Sequence, residues 1–125
     1  MERLPSLPFE LAPSIQATQE GTIGLRGLLH AEGADVLLDV RPIHPLGEGE
    51  VETHRFPLSA LSAVEFKTGW FSSRLILRPR RLGAFDALPA FEPEALALRV
   101  RRADRALASR WATEISLALL DRSEP

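Results

Sequence analysis

The hydrophobic pattern of this chain changes its period once, and that change is the strongest constraint on the fold. Between residues 22 and 101, apolar and polar residues alternate in short runs, which is typical of strands with one buried face. From Ala103 to about Leu120 the apolar residues recur at helical spacing, which is typical of an amphipathic helix. The sequence therefore predicts a mainly β domain that ends in one packed helix.

About seven short strands are predicted, separated by turns that contain Gly, Pro or Ser. They cover residues 22–30, 35–43, 51–57, 64–67, 74–78, 81–86 and 95–101. Prolines at positions 5, 8 and 13 disfavour regular structure near the start. Residues 1–21 are therefore predicted to be an irregular lead-in, and residues 22–122 to be a single domain. The apolar face of the predicted helix consists of Leu107, Trp111, Ile115, Ala118 and Leu119.

The segment SALSAVEFKTGWFSSRLIL (residues 59–77) resembles the hairpin of the fourth and fifth strands in bacterial pleckstrin-homology-like (PH-like) proteins. Seven strands followed by one helix is also the element order of that superfold, and Trp111 lies in the helix, as does a Trp in many PH domains. The resemblance implies a strongly bent sheet, or split barrel, with the helix plugging one open end. An SH3-like or OB barrel with an added helix, or a β-sandwich, remain alternatives.

Charge is unevenly distributed along the chain, although the net charge is only −2. Residues 1–65 carry four Arg and ten acidic residues, whereas residues 66–110 carry ten basic and four acidic ones. The basic cluster has three interpretations: a solvated or internally paired face, a surface for a protein partner or a second copy, or a surface for anionic lipid or nucleic acid. The candidate interaction surface comprises Lys67, Trp70, Phe71, Arg74, Arg78, Arg99 and Arg101.

Trp70 and Phe71 form an aromatic pair at the predicted tip of the central hairpin. Their rings could fold back over the core, or they could form an exposed tip that docks onto a partner or a membrane. Lys67 and Arg74 flank the pair and would suit an anionic surface. Periodicity does not distinguish these two interpretations.

Catalytic and metal-binding patterns are missing from the sequence. The chain has no Cys, and its three histidines, His30, His44 and His54, lie at no metal-binding spacing. Ser72 and Ser73 occur in a predicted turn without a GxSxG motif. We therefore expect no enzymatic activity, no cofactor and no metal ion.

The phosphoinositide site of eukaryotic PH domains also lacks its counterpart here. That site uses several basic residues on the first two strands and the loop between them, whereas only Arg26 and Arg41 flank the predicted loop and Glu32 lies within it. Net charge is too small to predict bulk attraction to nucleic acid. No apolar run approaches the ~20 residues of a membrane-spanning helix, so a cytoplasmic location is expected.

Two functional hypotheses follow from these residues. The first is a non-enzymatic PH-like interaction module that mediates protein–protein contacts or self-assembly. The second is a peripheral binder of anionic membrane surfaces through the Trp70–Phe71 tip and the basic residues beside it.

Overall fold

Eight antiparallel strands in one sheet and a C-terminal helix form the structure, a computed structural model that describes residues 4–81, 83–88 and 95–123. The strands are β1 (Leu7–Leu11), β2 (Gly24–Glu32), β3 (Asp35–His44), β4 (Gly47–Glu48), β5 (Glu52–Pro57), β6 (Leu61–Thr68), β7 (Ser73–Pro79) and β8 (Leu96–Val100). Helix α1 (Ile15–Gln19) follows β1, and helix α2 (Arg105–Ser123) ends the described chain. Short 3-10 helices span Leu58–Ala60 and Arg102–Asp104.

The order of the strands requires a strongly curved sheet. Neighbouring strands follow the order β4-β3-β2-β1-β8-β7-β6, and β5 also pairs with β3. Because β2 lies along one side of β3, β4 and β5 share its other side, so the sheet has seven strand positions. Strands β5 and β6 lie at opposite edges, yet only the 3-10 helix Leu58–Ala60 connects them. The sheet must therefore curl until these edges meet at one corner, as in a split barrel.

Helix α2 packs against β6, β7 and the corner between β5 and β6. Ala108, Trp111 and Ile115 on its inner face are fully buried. The indole Nε1 of Trp111 donates a hydrogen bond of 2.9 Å to the carbonyl oxygen of Pro5. The prediction of a mainly β split barrel with a final helix around Trp111 is thus confirmed. The hairpin predicted as the fourth and fifth strands is instead β6 and β7, because β1 and β4, which were not predicted, precede it.

The prediction of an irregular lead-in was wrong for β1, which is an interior strand. Leu7, Phe9 and Leu11 alternate inward and are buried. The strand pairs with β2 along its whole length but with β8 at one position, Glu10 opposite Arg99. This nearly one-sided pairing tolerates Pro8, which has no N–H to donate to a second ladder.

The strand predicted at residues 81–86 was also wrong. Residues 83–88 form successive turns, in which the N–H of Asp86 bonds to the carbonyl of Gly83 and that of Leu88 to Phe85. Gly83 has φ +86°, a left-handed conformation that suits a turn and not a strand. Phe85 is nevertheless buried, and its ring packs edge-on against Phe56 at 5.0 Å between centroids.

We predict that Phe9→Ala lowers the free energy of unfolding by about 3–5 kcal/mol, because a fully buried ring in an interior strand is removed. Phe71→Ala deletes the same ring from an exposed position and should change the stability by less than about 0.5 kcal/mol. Urea unfolding of both variants measures the difference. Equal effects would contradict the assignment of β1 to the core.

Candidate interaction surface

The tip of the β6–β7 hairpin exposes two aromatic side chains. Thr68 pairs with Ser73, so residues 69–72 form a four-residue loop. Trp70 is 86% exposed and Phe71 is 87% exposed. Their ring centroids lie 6.5 Å apart with an interplanar angle of 79°, an edge-to-face arrangement favoured by aromatic quadrupoles. Of the two interpretations of this pair, the structure supports the exposed tip.

Two features hold the tip in place. A side chain at Gly69 would collide with the carbonyl oxygen of Ser72, so only glycine fits this loop. Arg105, in the first turn of α2, directs its Nη2 to the carbonyl oxygen of Gly69 at 3.4 Å. The hairpin tip is therefore connected to the start of the helix that packs on the barrel.

Three cations lie in a row across neighbouring strands beside this tip. Lys67 on β6 is directly opposite Arg74 on β7, and Arg74 is directly opposite Arg99 on β8. Side chains of directly opposed residues share one face of a sheet, and all three are exposed. We call Lys67, Arg74 and Arg99 the basic row. Like charges in direct opposition destabilise a sheet, so this arrangement has a folding cost.

The basic row has little compensating negative charge among the described residues. Lys67 contacts Glu65 only at 3.9 Å, and the carboxylate of Glu65 is already bound by Arg78. Neither Arg74 nor Arg99 has an ion-pair partner in the described part of the chain. Glu10 is opposite Arg99 in the register, but it forms no ion pair with a described side chain.

The remaining two predicted basic residues differ from the row. Arg78 shares the outer face of β7 but donates a hydrogen bond of 2.7 Å to Glu65. That bond lowers the pKa of Glu65 below its ordinary value and raises the pKa of Arg78. Arg101 is exposed and follows β8 directly, close to the base of the tip because Val100 pairs with Ser73.

Three acidic residues of the first half of the chain, residues 1–65, are paired with arginines of the same half. Glu48 binds Arg41 at 2.7 Å and lies 3.7 Å from Arg26. Arg55 bridges Glu32 and Asp35 at 2.9 Å and 3.0 Å. The basic row differs from these residues, because neither Arg74 nor Arg99 has an ion-pair partner among the described residues.

Other polar groups form local structural contacts. His30 Nε2 lies 2.9 Å from Asp39, which also accepts a hydrogen bond of 2.6 Å from Thr53. The two carboxylate oxygens of Asp39 therefore bind the imidazole and the hydroxyl separately. Ser73, predicted as a turn residue, begins β7 instead and is fully buried.

No group of three His, Asp or Glu side chains that could hold a metal ion occurs among the described residues. Within the same residues, no helix has both the length and the apolar character needed to cross a membrane.

Comparison of the chain with protein-family models gives no match, and comparisons with curated proteins and with solved structures give none either.

We predict that Arg74→Gln raises the free energy of unfolding by about 0.2–1 kcal/mol at low salt, because it removes the central member of three opposed cations. High salt should abolish the gain by screening the exposed charges. Arg55→Gln removes the same charge from an ion-paired site and should not stabilise the protein. Urea unfolding at two salt concentrations tests this; destabilisation by Arg74→Gln would show that the row is internally compensated.

The Glu65–Arg78 pair predicts a pH dependence. A carboxyl whose pKa is lowered by folding stabilises the protein above its unfolded pKa, and this contribution disappears as the pH falls through the lowered pKa. Arg78→Gln should therefore reduce stability near neutral pH, with the deficit shrinking in acid as Glu65 becomes protonated. Urea unfolding across a pH series measures the deficit, and a deficit unchanged in acid would contradict the role of this pair.

Proposed function

We propose that this chain is a non-enzymatic, PH-like interaction module whose contact surface is the Trp70–Phe71 tip together with the basic row. The observation that carries the proposal is the pairing of two almost fully exposed aromatic rings with adjacent, uncompensated cations. Exposed aromatic residues and Arg are the side chains that most often dominate the free energy of binding. We call these five residues, Lys67, Trp70, Phe71, Arg74 and Arg99, the tip surface.

The PH-like assignment is supported by the order of the elements. Seven strand positions precede the C-terminal helix, the sheet is split between β5 and β6, and the helix packs against that corner. These are the features that the resemblance of residues 59–77 implies. The tip surface lies on the same hairpin that carries the resemblance.

Self-assembly through opposite charges has weaker support than contact through the tip surface. Such assembly needs an acidic surface free to meet the basic row of a second copy. Glu32, Asp35 and Glu48 are instead engaged by arginines of their own half. These pairs reduce the attraction between the two halves of different copies, which leaves Glu20, Glu50 and Glu52 as the exposed acids of this half without an Arg or Lys partner among the described residues.

Site-specific photo-crosslinking in cells tests the proposed surface. A benzoylphenylalanine placed at Trp70 should give an adduct with the partner, whether that partner is a protein or a lipid, because the tip contacts it. The same group at Leu46, a fully exposed residue in the β3–β4 turn, is the matched control and should give none. Adducts of equal yield at both positions, or none at position 70, would contradict the proposal.

A further inference from the structure

We propose that the partner of the tip surface is a lipid bilayer that contains anionic phospholipids. Trp70 and Phe71 enter the headgroup region, and the basic row lies against the phosphates. This inference rests on the proposed function, because it names the partner of the same surface.

The exposure of the tip favours a bilayer over a protein partner. Trp70 and Phe71 are almost fully exposed on a four-residue loop, so a protein would have to supply a complementary site for two rings. A membrane interface accepts such side chains without a preformed pocket, and Trp is enriched there because its ring is apolar and its N–H is polar. An exposed aromatic tip of this kind therefore fits a fluid interface.

The basic row predicts that the lipid headgroups lie at the base of the same loop. Lys67 precedes Trp70 by three residues, so roughly 10 Å of extended chain at most separates them. This span is comparable with the depth of the polar headgroup region of a bilayer. Rings at the acyl boundary would thus leave the basic row at the level of the phosphates, where anionic lipid replaces the counter-charge that the chain lacks.

Insertion needs little reorganisation of the loop. Gly69 permits the tight turn, and Arg105 holds the carbonyl of Gly69 from helix α2. Since the aromatic rings are already exposed in the free protein, docking does not have to expose a buried core. A preorganised loop retains more of the binding free energy than one that must be ordered on contact.

Vesicle co-sedimentation of the full chain tests the inference. Vesicles of phosphatidylglycerol mixed with phosphatidylcholine are compared with vesicles of phosphatidylcholine alone, at low and at high salt. The test variants are Trp70→Ala and the double variant Arg74→Gln with Arg99→Gln. The matched controls are Leu46→Ala, from another exposed turn, and Arg55→Gln, from an ion-paired site.

Binding is expected to the anionic vesicles and not to phosphatidylcholine alone, and high salt should weaken it. Each cation near the surface contributes about fivefold in affinity, so the double Arg variant should bind about 25-fold more weakly. Trp70→Ala should weaken binding about tenfold through lost apolar burial, and both controls should bind normally. Brominated acyl chains should quench Trp70 but not Trp111, which is 1% exposed.

Failure of the wild-type chain to bind anionic vesicles would overturn the inference. Binding that Trp70→Ala and the double Arg variant leave unchanged would overturn it as well. A discrete protein adduct from position 70 without vesicle binding would refute the lipid partner but keep the proposed function. The absence of both the adduct and vesicle binding would refute both.

Discussion

Strand β1 is the element on which the rest of the structure depends, because the hydrogen-bonded ladder passes through it from β2 to β8. Five residues pair with β2, whereas Glu10 alone pairs with β8. The start of β1 is also bound to helix α2, because the indole of Trp111 donates a hydrogen bond to the carbonyl oxygen of Pro5, two residues before the strand. Burial of Leu7, Phe9 and Leu11 then joins both halves of the sheet to one core.

The register of the sheet also aligns the cations of three neighbouring strands. Along the register, Arg99 stands opposite Glu10, and Glu10 stands opposite Arg26. Arg26 and Arg41 share Glu48 as a counter-ion, whereas Lys67 approaches Glu65 only at 3.9 Å and neither Arg74 nor Arg99 forms an ion pair with a described residue. The fold therefore concentrates positive charge beside the one hairpin tip that exposes two aromatic rings.

Local patterns predicted much of this architecture. Alternation correctly placed Val36, Leu38 and Val40 inside, and the helical spacing correctly placed Trp111 and Ile115. Strand β1 was not predicted because Pro8 within it and Pro5 and Pro13 beside it argue against a strand, while the long-range pairing that stabilises it leaves no local signal. The exposure of Trp70 and the ion pairs of Glu32, Asp35 and Glu48 depend on tertiary neighbours, so the sequence could predict the candidate residues but not which of them remain available.

The most direct measurement of the central claim is amide hydrogen exchange of the full chain with and without anionic vesicles. The account predicts slower exchange in residues 68–74 when vesicles are present, with no change in the β3–β4 turn that carries Leu46. Slower exchange confined to another edge of the sheet, or none at residues 68–74, would contradict the tip surface as the site of contact.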